Sequence, residues 1–170
     1  MVVRTAVLLL SIAAATGCNT VEESIPQTSG ASVRQLLATP YCDTNAVQRA
    51  SWLLDARELS VHWSRLHGHR IEVPPQPAVD FAGETVALLE MGPRPTAGFA
   101  LELASTQLTQ ENGAQVVTVN WREPAEGATM AQVLTSPCLM IALPKSMRGP
   151  IEVRDQTGTT RFSLSPRSVR

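Results

Sequence analysis

The chain has 170 residues, of which 44% are hydrophobic and 17% are charged, and its formal net charge is −1. This length suits one domain of ordinary size, and the apolar content is sufficient for a packed core. Nucleic-acid binding is not expected, because proteins with that function carry a clustered basic face that a near-neutral chain lacks.

The first residues have the features of an export signal. Arg4 precedes an apolar run over residues 6–15, which is too short to span a bilayer but is typical of the apolar part of a signal peptide. The run ends in Ala15-Thr16-Gly17-Cys18, which resembles a lipobox. In a lipobox the peptidase cuts before the cysteine, and that cysteine carries the lipid, such as palmitate.

We therefore predict a signal peptide over 1–17 and a lipid anchor at Cys18. The alternative is plain secretion with cleavage near Ala14 or Ala15, which leaves Cys18 free. Asn19 follows the cysteine, where aspartate would resemble the inner-membrane retention signal of enteric bacteria. The predicted location is thus the outer membrane, with the protein facing the periplasm.

The cysteine count fits an oxidising compartment. The chain has three cysteines, and acylation of Cys18 leaves Cys42 and Cys138 as a pair. A disulfide between them would stabilise the fold by about 4–5 kcal/mol through loop closure. The alternative is two buried free thiols. Neither cysteine lies in a redox or protease motif.

The segment after the anchor reads as a flexible linker over 18–40, because it is polar and contains Pro26 and Gly30. Some helix over 32–37 is the alternative within it. The folded domain is then expected over 41–165, followed by a frayed tail from Ser165.

One helix is predicted over 55–66. Asp55 and Glu58 form the N-cap and N3 pair of a capping box, and Gly68 is suited to the C-cap. The apolar residues of the segment recur three or four positions apart, which places them on one helix face: Ala56, Leu59, Trp63 and Leu66. Residues 46–53 fit either a strand or an extension of this helix.

Strands are predicted after residue 70. Residues 71–77 are extended and proline-rich, 85–91 and 139–143 are compact apolar runs, and Asn112-Gly113 is a hairpin turn. Apolar residues alternate with polar ones around this turn, as in half-buried strands: Phe99, Leu101, Leu103, Val117, Val119 and Trp121. Ile151 and Val153 are expected to pair with Phe162 and Leu164. Six or seven short strands of this kind indicate a mostly β fold, a small β-sandwich or an open barrel.

No catalytic motif is present in the sequence. There is no nucleophile elbow, no Walker loop and no dinucleotide fingerprint, so an enzyme is not expected and no cofactor is predicted. His62, His67 and His69 are the candidates for a metal site, but their spacing suits one helix face poorly. We interpret them as side chains of the solvated helix end, and we interpret Glu123 and Glu126 as solvated residues of a loop over 122–129.

The segment 92–99 is the candidate binding loop. It lies between two predicted strands, is stiffened by two prolines, and contains Gly98, which permits backbone conformations closed to other residues. A rigid loop loses little entropy on binding, and arginine and aromatic residues are common at interface hot spots. The predicted partner-binding residues are Arg94, Pro95, Thr96, Gly98 and Phe99, although Phe99 is also expected to be buried as the first core residue of its strand.

This loop and its surroundings resemble the C-terminal domain of the protease-complex subunit PrcB family over about residues 47–145. The resemblance rests on the order of several pieces: His62-Trp63, Val79-Asp80-Phe81, the 85–91 strand, Gly92 with Pro95-Thr96-Ala97-Gly98-Phe99, and Pro137 before 139–145. Ala97 stands where the family commonly has glycine. The resemblance implies a non-catalytic lipoprotein that accompanies and helps to stabilise a surface protease.

A second resemblance suggests another function. Pro95-Thr96-Ala97-Gly98-Phe99 is similar to a loop of the chagasin-like inhibitors of cysteine proteases, which are immunoglobulin-like sandwiches. Their glycine-rich loop is not evident, and Arg148-Gly149-Pro150 is a poor match to their third loop. The sequence thus predicts a lipid-anchored, protein-binding accessory subunit of a protease or envelope complex, with a protease inhibitor as the alternative.

Overall fold

The computed structural model describes residues 27–42, 47–68, 71–147 and 149–166. Ten strands and one helix lie within these ranges. The strands are β1 (Gln27–Ser32), β2 (Arg34–Thr39), β3 (Arg49–Leu53), β4 (Glu84–Glu90), β5 (Ala100–Leu103), β6 (Gln107–Glu111), β7 (Ala114–Arg122), β8 (Cys138–Pro144), β9 (Ile151–Arg154) and β10 (Thr160–Leu164), and helix α1 is Ala56–His67. Within the described residues, no helix is long and apolar enough to cross a membrane.

Two sheets face each other, which confirms the predicted sandwich. The first has the strand order β1-β6-β7-β9-β10, with β5 paired to the far half of β7, and the second has the order β2-β8-β4-β3. The main core lies between the sheets and includes Leu89, Val117, Val119, Ile141 and Phe162. The strands form two separate sheets, neither of which closes on itself, so the fold is not a closed barrel.

Helix α1 covers the outer face of the second sheet and adds a third layer. Leu59 and Trp63 of the helix pack against alternate residues of the sheet such as Leu88 and Met140. Strands β4 and β8 are therefore buried on both faces, which explains why the sequence shows them as continuous apolar runs rather than alternating ones.

The local predictions for the helix are confirmed. The Asp55 carboxylate accepts a hydrogen bond from the Glu58 N–H at 2.8 Å, and the Glu58 carboxylate accepts one from the Leu54 N–H at 2.7 Å. The helix ends at His67 with Gly68 as its C-cap. The ambiguous segment before it is strand β3, and the extension of the helix into that segment is wrong.

The predicted hairpins are also present. Asn112 and Gly113 both have positive φ, at 49° and 80°, and join β6 to β7 as a two-residue turn. Phe162 pairs with Val153 and Leu164 pairs with Ile151, as predicted. Seven strands, β4 to β10, follow residue 70, in agreement with the six or seven predicted there.

The predicted flexible linker over 18–40 is wrong for its described part. Residues 27–32 form β1, which pairs with β6, and residues 34–39 form β2, which pairs with β8. The proposed helix over 32–37 is wrong for the same reason. Strand β1 is polar, and the apolar residues of β2 are adjacent rather than alternating, so neither strand shows the period-two pattern in the sequence. The signal peptide over 1–17, the anchor at Cys18 and residues 18–26 lie outside the described residues.

The chain crosses between the two sheets at Val33, and this fixes the orientation of its first described strand. Gln27 pairs with Gln110, beside the Asn112-Gly113 turn, whereas β2 runs towards the opposite end of the sandwich. We call these the hairpin end, marked by Asn112-Gly113, and the loop end, where residues 40–42, 91–99 and 123–137 lie.

Candidate functional site

The predicted binding loop lies at the loop end and is tied to a second loop, 123–137. Arg94 and Thr135 exchange two backbone hydrogen bonds, from the Arg94 N–H at 2.7 Å and from the Thr135 N–H at 2.9 Å. The Ala97 N–H donates to the Ala131 carbonyl at 3.0 Å, and the Thr135 hydroxyl donates to the Thr96 carbonyl at 3.0 Å. The two loops therefore act as one short ribbon.

The segment 40–42 flanks the other side of this ribbon. Tyr41 is paired with Ser136, the Cys42 N–H donates to the Ser136 carbonyl at 2.9 Å, and the Ser136 N–H donates to the Pro40 carbonyl at 2.8 Å. The predicted disulfide joins Cys42 to Cys138, with Cα atoms 5.9 Å apart. Its position fastens 40–42 to the first residue of β8, so that all three segments of the loop end share one frame.

Gly98 has a left-handed backbone conformation and lies where the two loops approach each other. Its φ is +96°, and a Cβ built there would lie 2.4 Å from the Met130 methyl carbon and 3.1 Å from Pro124 Cγ. Gly98 therefore has a structural reason to be glycine, and its place in the predicted binding set is as a positioning residue.

The other residues of the predicted set differ in exposure. Pro95 is exposed, Thr96 and Arg94 are half-buried, and Phe99 is half-buried and packed against the main core. The expected burial of Phe99 is thus partial. No observation tests whether these residues contact a partner, and their role in binding stays a prediction.

Arg94 lies over two aromatic rings. Its guanidinium carbon is 5.6 Å from the centroid of Phe99 and 5.8 Å from that of Trp121, within the range of cation–π attraction. Trp121 is buried on strand β7, next to β5, and its ring lies beneath the Arg94 guanidinium.

Trp121 is itself held from several sides. Its indole N–H donates to the Glu123 carboxylate at 2.7 Å, and its backbone N–H and C=O both bond the side-chain amide of Gln156 at 2.9 Å. The Arg161 guanidinium lies 4.6 Å from the ring centroid. The interpretation of Glu123 as a solvated loop residue is incomplete, because its carboxylate also fixes the orientation of the Trp121 indole.

The loop 155–159 supports these contacts. The buried carboxylate of Asp155 accepts hydrogen bonds from the Thr157 hydroxyl at 2.6 Å, the Thr157 N–H at 2.8 Å, the Thr159 N–H at 3.0 Å and the Arg161 Nε at 2.7 Å. The hydrogen bond from the Thr157 hydroxyl is the largest cause that lowers the pKa of Asp155 to about 2, and the backbone donors and Arg161 add to it. Asp155 therefore stays ionised and keeps Arg161 against Trp121.

An apolar rim surrounds Arg94 at the loop end. Leu134 is 55% exposed, Tyr41 is 49% exposed and Val133 is 39% exposed, and Pro93 and Pro95 are exposed beside them. The bridges from Thr135 to Arg94 and from Ser136 to Tyr41 make these residues neighbours. Sequence reasoning missed the rim, although Val133-Leu134 is the one pair of adjacent branched aliphatic residues in this loop and was a usable signal.

A slot beside the apolar rim exposes the edge of strand β5 that faces away from β7. It has a volume of about 140 Å³ and is lined by residues of β2 and β5, including Pro40, Phe99 and Leu101. Leu101 lies opposite Trp121 in the ladder between β5 and β7. The backbone of Trp121 bonds Gln156 on the side of β7 that faces away from β5, so these two residues are a non-hydrogen-bonded pair. The N–H and C=O of Leu101 therefore point away from β7. Within the described ranges, these two groups have no hydrogen-bond partner.

The histidines do not form a metal site in the described part of the chain. His67 is buried, its ring nitrogen Nδ1 lies 3.0 Å from the Trp63 carbonyl, and its ring is 4.3 Å from that of Trp63. The prediction that it lies at a solvated helix end is therefore wrong, because the last turn of α1 packs against the sheet. Burial and the nearby Arg65 lower the pKa of His62. His69 lies outside the described residues, and no three metal-ligating residues cluster elsewhere in those ranges.

A wider groove lies between β3 and α1. It has a volume of about 540 Å³ and is lined by Arg49, Trp52, Arg57, Val61 and His62, among others. The buried Glu90 carboxylate accepts from the Arg49 Nε at 2.6 Å at its edge. Both basic and acidic side chains line the groove, so its charge favours neither an anionic nor a cationic ligand.

The third segment of the inhibitor-like pattern is not at the loop end. The Pro150 carbonyl accepts from the Gln115 N–H at 2.9 Å, next to the Asn112-Gly113 turn, and Gly149 lies against Gly113. Arg148 lies outside the described residues. The described part of this segment is thus at the opposite end from Pro95–Phe99.

Comparison with known protein families bears on the segment that builds this end. Residues 85–144 match the family model described as PrcB C-terminal. The match covers about a third of the chain and confirms the resemblance predicted from the sequence for those residues. It spans β4 to β8 and therefore both loops of the PrcB-like segment, whereas Tyr41, α1, β9 and β10 lie outside it. No curated protein and no solved structure matches the chain significantly.

Proposed function

We propose that this chain is a lipid-anchored, non-catalytic subunit that binds a protein partner, such as a protease or another envelope component, through its loop end. The observation that carries the proposal is the exposed apolar rim, composed of Tyr41, Pro93, Pro95, Val133 and Leu134, on a frame braced by a disulfide. Contiguous apolar surface on a braced frame is typical of protein interfaces.

The family match supports this choice of partner class. The matched segment contains the whole of loops 92–99 and 123–137, and the resemblance noted from the sequence implies association with a protease. The disulfide agrees with an oxidising compartment, as the export signal predicts. The absence of a catalytic motif from the sequence supports a binding role.

The anchor belongs to the same proposal. The mature chain would begin at Cys18, carry an acyl group such as palmitate, and face the periplasm from the outer membrane. Cys18→Ala is expected to move the protein from the membrane fraction to the soluble fraction and to abolish incorporation of labelled palmitate. Unchanged fractionation and labelling would contradict this part.

The binding role is tested by photocrosslinking in intact cells. A photoreactive amino acid at position 134 is expected to give a protein adduct, whereas the same group at Gln110 is expected to give none. Gln110 is a matched control because it is exposed but lies near the hairpin end. Identical adducts at both positions, or none at 134, would contradict a binding role for the loop end.

A further inference from the structure

The guanidinium of Arg94 has an unusual environment. Its Nε is buried without a hydrogen-bond partner, and neither an ion pair nor a side-chain hydrogen bond joins it to another described residue. The other half-buried arginines of the described residues differ: Arg154 is bound to Glu111 and Glu152, and Arg161 is bound to Asp155. A buried N–H group without an acceptor is costly, so this arrangement favours a ligand that supplies an acceptor to the guanidinium.

The arginine is held ready for such a ligand. Its backbone is fixed by the two bonds to Thr135, prolines stand on both sides of it, and its planar group lies over Phe99 and Trp121. Little conformational freedom would be lost when an acceptor binds, which increases the affinity gained from the contact.

Among the described carboxylates near Trp121, none is free to fill this position. Near Trp121, Glu123 is bound to the indole, Asp155 is bound to Arg161, and Glu102 lies 3.8 Å from Arg122. These three residues therefore do not supply the acceptor.

We propose that the partner presents an aspartate or glutamate carboxylate to Arg94, on an extended segment whose apolar side chains cover Tyr41, Pro95 and Leu134. The proposal rests on the binding role argued above and specifies the chemistry of the partner. A guanidinium binds a carboxylate through two parallel hydrogen bonds, and this contact strengthens as water is excluded by the apolar rim. The unpaired N–H and C=O of Leu101 favour an extended segment beside it.

A carboxylate suits the site better than a phosphate does. A phosphate group is usually bound by several cations, whereas Arg122 and Arg161 are already paired with Glu102 and Asp155. One unpaired guanidinium with apolar neighbours matches a single negative charge.

The test uses the full chain in detergent to select from a display library of short random peptides. We expect the retained peptides to contain aspartate or glutamate next to large apolar residues. Arg94→Gln is expected to weaken the best peptide roughly tenfold or more. Replacing the peptide acid by its amide should cost a similar factor, and the two changes together should cost little more than either alone.

Two variants serve as comparisons. Arg57→Gln removes an exposed arginine of α1, away from the loop end, and should leave peptide affinity unchanged. Leu134→Asp places a charge in the rim and should abolish binding. Thermal unfolding of each variant confirms that it is folded.

The outcomes separate the two proposals. If Leu134→Asp abolishes binding but Arg94→Gln does not weaken it, the carboxylate inference is wrong and the binding role of the loop end stands. If neither variant changes peptide binding, both are wrong. If no peptide is enriched, or if inorganic phosphate displaces the peptides more effectively than acetate does, the partner does not present a carboxylate-bearing segment.

Discussion

Asp155 shows how one buried side chain supports the candidate site from a distance. Its carboxylate accepts four hydrogen bonds, two from Thr157, one from Thr159 and one from Arg161. Arg161 in turn lies over Trp121, on which Arg94 rests. The loop 155–159 lies outside the segment matched to the family, yet it fixes a residue inside that segment.

Asp155→Asn is expected to destabilise the fold by about 1–3 kcal/mol at neutral pH, because the amide leaves donors of Thr157 and Arg161 poorly satisfied. The pKa of Asp155 is about 2 in the folded state against 3.8 for the ordinary value, so its contribution is fully present above pH 4. It is lost as the pH falls from about 4 to 2. Urea unfolding at several pH values measures the free energy of unfolding.

The difference between the wild-type protein and Asp155→Asn should therefore shrink as the pH falls through that range. Glu126→Gln is the control, because Glu126 is exposed in the 123–137 loop and should have little effect at any pH. A difference that stays constant from pH 7 to pH 2 would show that the carboxylate charge of Asp155 does not stabilise the fold.

At the scale of elements, the two loops of the candidate site depend on a glycine for their contact. Gly98→Ala is expected to cost more than Gly127→Ala. Both glycines have positive φ, at 96° and 76°, so alanine is strained at each by about 1–2 kcal/mol. Only at Gly98 would the new methyl group also meet Met130, whereas nothing lies within 4 Å at Gly127.

The comparison isolates the loop contact from backbone strain. Thermal unfolding of both variants measures the two costs, and Gly98→Ala combined with Met130→Ala should recover part of the difference. Equal losses for the two glycines would mean that the loops do not pack closely at Gly98.

These elements also show what the sequence could predict. Some elements depend on residues close together in the sequence, so their patterns can be recognised in the sequence itself. They are strands β4 and β8, the Asn112-Gly113 turn and the α1 capping box. The disulfide followed from counting cysteines, and the turn over 92–99 followed from its prolines and glycine.

Other features depend on partners distant in sequence. Strand β1 is polar and β2 has adjacent rather than alternating apolar residues, so no period of two marks either strand, and both pair with strands distant in sequence, β6 and β8. Arg94 rests on Trp121 because β5 pairs with β7, and Gln156 reaches Trp121 from a loop that follows β9. Such contacts require the topology, and the sequence pattern alone does not supply it.

For the whole molecule, the topology separates the start of the described chain from the candidate site. Gln27 lies near the hairpin end, and the strands β1 and β2 run from there to Tyr41 at the loop end. Extended strands rise about 3.3 Å per residue, so the residues 27–39 span up to about 40 Å. If Cys18 carries the lipid, the hairpin end is nearer to the anchor along the chain than the apolar rim is, which leaves the rim open to an extracytoplasmic partner.

This orientation predicts a gradient of lipid contact. In vesicles that contain the acylated protein, a photoreactive group at Gln110 is expected to form more lipid adducts than the same group at Leu134, because position 110 is beside Gln27 and position 134 is at the far end. Mass spectrometry of the adducts measures the ratio. The Cys18→Ala protein, added to the same vesicles, gives the background at each position. More lipid adducts at 134 than at 110 would mean that the apolar rim contacts the bilayer itself, and the rim would then be a membrane surface instead of a site for a protein.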